Sequence, residues 1–307
     1  MTRRVFDCFP FAAELDVLRL RLELLDPVVD HFVLAEAPTT FSGAPKPLHY
    51  AEHRDELSRF AAKIVHVVVE DMPTPDPETH DRWVPERFQR QALVRGLGDA
   101  GPDDLVLVSD VDELIDPAVV SGPLQAVDEP VALEMRLAYL RANWERPGGW
   151  DRARACSARH AGDPHELRHA EPSTTIPDAG AHLSYLSDAD GVARKLAGAA
   201  HDEFDTDTYR DRDYLRVCLA TGVLPLNGRP LQVRTPEELS AVQRFVLERR
   251  PDLFDFEVDD LGTWRPAVLR YLLLRQRRRF PAAARRRIDA RLRRVLESRP
   301  ARPTTTR

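Results

Sequence analysis

The chain reads as an α/β protein, a mixed, mostly parallel sheet flanked by helices, with a helical, basic extension at its C-terminal end. Three observations predict this. Short apolar runs alternate with segments of helical period over the first 140 residues, the pattern of strands covered on both faces by helices. A hydrophobic fraction of 43% in 307 residues is enough for a large buried core and excludes a disordered chain. Beyond Pro225 the alternation gives way to helical patterns, and the last of these are rich in arginine.

The elements follow in order. Residues 4–9 are a short apolar run and read as a strand. Residues 14–25 carry Leu15, Leu18, Leu22 and Leu25 at helical spacing. Residues 31–37 read as a buried strand ending at Glu36, and the Pro- and Thr-rich 37–50 as a loop. Residues 52–60 are expected to be helical and the β-branched 64–69 to form a third strand. A Pro-rich loop over 72–78 precedes a helix over 83–97. Residues 105–109 read as a fourth strand that stops at Asp110, and 117–127 as weakly helical. Residues 131–144 fit one bent strand or two, whereas 152–169 are too polar for a clear assignment. A short strand over 181–186 and helices over 188–200, 209–221 and 236–249 follow. Two basic helices, 264–279 and 282–296, flank Pro281. The expected division is a domain over 1–230 and the extension over 231–307.

Charge is distributed unevenly. Residues 265–307 hold 15 arginines against Asp289 and Glu297, a local charge of +13; the net charge of −6 therefore leaves −19 on the remainder. Such an arm suits docking on the acidic body or on a second subunit, or a peripheral contact with an anionic membrane. No aromatic interleaving or nucleic-acid-binding motif accompanies it, so no nucleic-acid partner is expected. No run approaches the length of a membrane span, and the N-terminus shows no signal-peptide pattern. Cys8, Cys156 and Cys218 are too few and too widely spaced for a disulfide framework. A cytoplasmic protein, peripheral at most to the inner membrane face, is the expectation.

The chemistry is concentrated in Ser109-Asp110-Val111-Asp112-Glu113. Three carboxylates within four residues repel one another unless a cation neutralises them. A hard divalent ion, Mg²⁺ or Mn²⁺, resolves the conflict and can bridge to the oxygens of a diphosphate. Ligands of parallel sheets bind at the carboxyl ends of strands, where this motif falls. The alternative is an acidic strand-to-helix turn, with Asp110 or Asp112 capping the helix that starts at Pro117.

Several segments together resemble glycosyltransferase family 17, whose members include bacterial proteins and the enzymes that add a bisecting N-acetylglucosamine to the β-linked mannose of N-glycans. Phe6-Asp7-Cys8-Phe9-Pro10-Phe11-Ala12-Ala13-Glu14-Leu15-Asp16 is similar to the family's opening strand and helix. Val28 to Ala37, ending in Glu36, resembles its second strand, and Thr40 to Leu48 the loop that follows. The segment from Trp83 to Leu97, with Glu86, Gln89 and Arg90, resembles the helix before the acidic motif. Ala179-Gly180-Ala181-His182-Leu183-Ser184-Tyr185 is similar to a Gly-Trp-His-x-Ser segment, with Ala181 in place of the tryptophan. Lys195, His201-Asp202-Glu203-Phe204 and residues 214–226 continue in order. The resemblance spans residues 4–230; the family's eukaryotic membrane anchor has no counterpart, and residues 231–307 match no part of it.

This resemblance implies a GT-A-like fold and a metal-dependent, inverting transfer of a sugar from a UDP-sugar, most typically UDP-N-acetylglucosamine, to a glycan or lipid-linked acceptor. It assigns the metal, Mn²⁺ or Mg²⁺, to Asp110, Asp112 and His182. Glu36, Lys46, Arg90, Asp110, Lys195 and His201 are the candidates for holding the nucleotide sugar. Glu113 is expected to point inward and orient Arg90 or a backbone amide. Inversion needs a base for the acceptor hydroxyl, and Asp178, Glu203 and Glu134 are its candidates. Trp144 and Trp150 are the aromatic side chains suited to stacking on a sugar ring. Two other readings stay open: a nucleotidyltransferase or metal phosphohydrolase, for which no Walker-type loop or second ligand cluster is found, and an inactive module that binds a sugar nucleotide or glycan, which the Ala181 substitution keeps open.

Overall fold

The computed structural model describes residues 3–74, 82–198, 207 and 209–259. Four strands, β1 (Val5–Phe11), β2 (His31–Glu36), β3 (Ile64–Val68) and β4 (Leu105–Val108), lie in the order β3-β2-β1-β4 and run parallel. Their side chains are almost uniformly apolar because both faces are covered. On one face α1 (Leu15–Leu25) packs Leu18, Leu22 and Leu25 against Phe9, Phe32 and Leu107. On the other, α3 (Trp83–Gln91) and the 3₁₀ turn Ala92–Gly96 cover Phe6, Cys8, Val33 and Val106, with Ala92 and Leu93 in the core. The single helix expected over 83–97 thus tightens after Gln91. Residues 52–60 are likewise divided, between a short α2 (His49–Glu52) and a 3₁₀ segment, Arg54–Phe60.

Beyond β4 the sheet becomes mixed. Its further members are β5 (Glu113–Ile115), β6 (Val131–Tyr139), β7 (Trp144–Glu145), β8 (Trp150–Ser157) and β9 (Thr175–Ser184). β8 inserts between β4 and β6, β7 follows β6, and β9 runs parallel to β6 and antiparallel to β5. Most of the paired length is parallel, so the sheet is mixed and mostly parallel as expected. Residues 131–144 form two strands, separated by Leu140 in a left-handed conformation. Between β5 and β6 lies α4 (Pro117–Ser121), capped by the Asp116 carboxylate.

Two elements escaped the sequence pattern for a physical reason. β8 buries Arg154, whose guanidinium donates to the carbonyls of Ala153 and Ala170, so its inner face is not uniformly apolar. α5 (Pro164–His169) buries Leu167 in the apolar cluster but also turns Arg168 inward to the Glu113 carboxylate, so its inner face is mixed. β5 was also unforeseen; the acidic motif leads into this short strand, not directly into a helix. β5 and β9 approach so closely at Gly180 that a Cβ there would lie 2.1 Å from the Leu114 carbonyl oxygen.

The remaining elements are α6 (Ala189–Gly198), α7 (Arg212–Thr221), β10 (Gln232–Val233) and α8 (Ala241–Arg249). α6 and α7 enclose a second apolar cluster around Trp144, Leu196 and Leu215. β10 pairs with β7, and Val242, Val246 and Phe254 enter the principal core beside Leu18 and Leu22. Residues 232–254 therefore pack with the sheet. The basic helices expected over 264–279 and 282–296 lie outside the described residues. All three cysteines are buried and free, and among the described residues no helix is long and apolar enough to cross a membrane.

Candidate active site

The acidic motif occupies the turn between β4 and β5, at the carboxyl end of the parallel strands. Its backbone is held from beneath by Arg21 of α1, whose side chain is fully buried. The Arg21 guanidinium donates to both Asp7 oxygens (2.5 and 2.7 Å), to Ser109 Oγ (2.5 Å), and to the carbonyls of Asp110 (2.8 Å) and Glu113 (2.9 Å). Phe9 packs its ring under the same group, 4.4 Å from the guanidinium carbon. With its carbonyls drawn towards Arg21, the turn is fixed before any ligand arrives. Sequence reasoning passed over Arg21; the available signal was its place on the Leu18-Leu22-Leu25 stripe of α1, where a lone arginine needs a buried partner.

Glu113 points inward, as expected, and is fully buried. It accepts hydrogen bonds from both terminal nitrogens of Arg168 (2.5 and 2.7 Å), from the Trp150 indole and from the Asp110 amide (2.8 Å). Arg168, not Arg90, is its partner. Arg90 donates instead to Asp110 Oδ1 (2.7 Å) and to Glu86, while Arg168 also reaches Asp110 Oδ2 (2.6 Å). Burial pushes the Asp110 carboxyl up, but Arg168 and Arg90 outweigh it and hold the group at about 2. Both Asp110 oxygens are committed to arginines, and both carboxylates beside Arg90 hold it inside the protein.

Asp112 has the other environment. Its Oδ1 lies 3.3 Å from His182 Nε2 of β9 and its Oδ2 accepts from Lys195 Nζ of α6 at 2.8 Å. Lys195 also stands 3.4 Å from Glu14 and over the ring of Tyr185. Burial opposes ionisation at Asp112, Lys195 and His182 alike. Their mutual attraction overcomes it, so the Asp112 carboxyl falls well below the usual carboxylate range while Lys195 and His182 rise. His182 Nδ1 is buried without a hydrogen-bond partner among the described residues, and its ring lies 4.8 Å from that of Trp150. Register explains the meeting, since Glu113 pairs directly with His182 across β5 and β9.

Residues 1–222 match the family model "Glycosyltransferase family 17". The chain belongs to glycosyltransferase family 17. Two similar proteins, from Rattus norvegicus and Homo sapiens, are each named beta-1,4-mannosyl-glycoprotein 4-beta-N-acetylglucosaminyltransferase; both are 26% identical over 260 residues, which is 72% of this chain and 48% of theirs. This family 17 chain thus spans about half the length of those relatives. Among solved structures, M. tuberculosis glucosyl-3-phosphoglycerate synthase shares 17% identity over 59% of this chain and 72% of that one, with a TM-score of 0.31, a likeness too distant to carry an argument.

The other candidates of the family 17 site are dispersed. Glu36 is fully buried at the end of β2, where its carboxylate takes His66 Nε2 (3.1 Å), the Tyr50 amide and Lys46 (3.4 Å). It anchors the loop over 37–50 and is closed to solvent, and Lys46 is tied to it. Glu134 and Asp178 are brought together on one cleft of about 190 Å³. Trp144 is core, its indole donating to the Asp255 carbonyl (2.8 Å), whereas Trp150 is half-buried between Glu113 and His182. His201 and Glu203 lie outside the described residues. Among the described residues a cluster of Asp128, Glu129 and His160 also has metal-type ligand atoms close together, but it sits at the amino end of β4, where Leu105 pairs with Ser157.

Proposed function

We propose that this chain is a metal-dependent, inverting glycosyltransferase that moves a sugar, N-acetylglucosamine, from its UDP-sugar to a hydroxyl of a glycan or glycoconjugate. The family supports sugar transfer in general. The observation that carries the finer reading is Asp112, a buried carboxylate at the end of a parallel strand, facing an imidazole nitrogen at 3.3 Å and a lysine at 2.8 Å. A carboxylate of this kind suits a hard divalent ion, Mn²⁺ or Mg²⁺, and the imidazole beside it, whose second nitrogen has no hydrogen-bond partner among the described residues, supplies a nitrogen donor better suited to Mn²⁺ than to Mg²⁺.

Asp112 and His182 would hold the ion, which when bound offsets the charge on a departing diphosphate. Lys195, kept protonated by Asp112 and Glu14, adds a fixed positive charge beside it. Asp110 serves this reading as a positioning residue, because Arg90 and Arg168 already neutralise it. Trp150 packs against one side of the His182 ring. The base that takes the proton of the acceptor hydroxyl is drawn from Glu134, Asp178 and Glu203.

Calorimetric titration of the full chain with UDP, with and without Mn²⁺, tests this reading. The expected result is UDP binding that needs the ion and is lost in Asp112→Asn, together with slow hydrolysis of UDP-N-acetylglucosamine. Binding of UDP that ignores both the ion and Asp112 would overturn it.

A further inference from the structure

The cleft that holds Glu134 and Asp178 is built by a coincidence of backbone irregularities. Between Leu133 and Met135, β6 advances two residues while β9 advances four, from Ile176 to Gly180. Over the same step β8 moves three, from Ala153 to Trp150. Both neighbours of β6 therefore bulge beside Glu134. The bulge of β9 throws out Pro177 and Asp178, the latter with φ 49°, and the turn before β8 brings Gly148 and Gly149 in with φ 100° and 59°. Gly149 lies against Glu134, where a Cβ would stand 3.3 Å from Oε1, and its φ of 59° favours glycine. Bulges and left-handed residues of this kind collect where side chains are aimed at ligands.

The lining is hydrophilic and mixed in sign. Arg136 and Arg234 enter it already paired with the buried Glu145, at 3.4 and 2.7 Å. Glu134 and Asp178 make no ion pair among the described residues. The cleft thus offers free acceptors, beside the exposed Arg146, in about 190 Å³. An anionic ligand would meet two carboxylates, and an apolar one would strand them. A neutral polyol meets both requirements, since vicinal hydroxyls donate to carboxylates and accept from guanidinium groups. Trp150 connects the cleft to the acidic turn: its neighbour Gly149 lines the cleft, its indole bonds Glu113 and its ring faces His182.

We propose that this cleft is a sugar subsite in which Glu134 and Asp178 hold one pyranose ring of the acceptor by its hydroxyls. The proposal rests on the transferase reading for the word acceptor, but the subsite stands or falls by its own test. The probes are the methyl glycosides of mannose, glucose and N-acetylglucosamine, titrated against the full chain by saturation-transfer NMR, with and without UDP and Mn²⁺. Saturable binding of at least one glycoside is expected, weakened about fivefold or more in Glu134→Gln and in Asp178→Asn, as befits lost charge-assisted hydrogen bonds. Asp112→Asn should keep glycoside binding while losing UDP. Asparagine tolerates the left-handed backbone at 178, and Glu134 is exposed, so both variants keep the fold, which thermal melting verifies. Failure of all three glycosides to saturate in either state, or binding unchanged in both cleft variants, overturns the subsite. Failure of UDP to bind, with glycosides bound and the cleft variants impaired, overturns the transferase reading alone.

Discussion

Two regions of this sheet use carboxylates in opposite ways. At the end of β4, Asp110 and Glu113 are closed in by Arg21, Arg90 and Arg168, so that nearly every oxygen has a guanidinium or amide partner. At the bulge of β6 and β9, Glu134 and Asp178 border an open cleft and form no ion pair among the described residues. The contrast separates positioning from binding. Buried charge with complete partners costs desolvation and returns a fixed geometry, while exposed charge with open lone pairs costs little and remains available to a ligand. Asp112 lies between these extremes, buried like the first pair but paired with His182 and with a Lys195 whose side chain is 29% exposed.

The largest break in this comparison is predicted for Arg21→Met. It leaves Asp7 charged and buried, frees the carbonyls of the acidic turn, and should cost about 3–5 kcal/mol in urea unfolding. Glu113→Gln should follow at about 2–3 kcal/mol, because Arg168 keeps a neutral partner but loses a charged one; the same measurement applies. If either variant proves as stable as the parent, the closed network is not what fixes the turn.

Asp110→Asn should be milder, about 1–2 kcal/mol at neutral pH, since its carboxylate is 30% exposed and solvent screens part of the interaction. The sign of its pH dependence follows from the depressed native value. The ionised carboxylate stabilises the fold fully above its unfolded value near 3.8, and this contribution fades as pH falls towards about 2. Unfolding of parent and variant should therefore differ constantly from pH 7 to 5 and converge below pH 4. A gap that widens on acidification would show that Arg90 and Arg168 do not hold this group.

The sequence made the closed region half visible. The parallel strands, α1 and the acidic turn were legible because apolar runs and helical period report burial directly. His182 and Lys195 were found through family resemblance, and the structure brings both to Asp112. Arg21 and Arg168 were not legible as partners, since an arginine among leucines or histidines looks solvated until the carboxylate it meets is known. Glu36, Lys46 and Arg90, expected to face a nucleotide, were not legible as ion-pair partners either: Glu36 takes His66 and Lys46, and Arg90 takes Asp110. The cleft was legible only as two unconnected acids, because bulges on both sides of β6 depend on pairing register, which no single strand encodes.

The smallest predicted effect carries the sharpest contrast. Glu134→Gln changes the same residue type, by the same atoms, as Glu113→Gln. Yet Glu134 is exposed and its carboxylate makes no ion pair among the described residues, so its substitution should shift stability by no more than about 0.5 kcal/mol. Paired urea titrations of the two variants read the difference directly. A Glu134→Gln penalty approaching that of Glu113→Gln would mean that the cleft carboxylate is a structural strut, in the manner of the acidic turn. A negligible penalty joined to weakened glycoside binding would mean that its charge acts on the ligand and not on the fold.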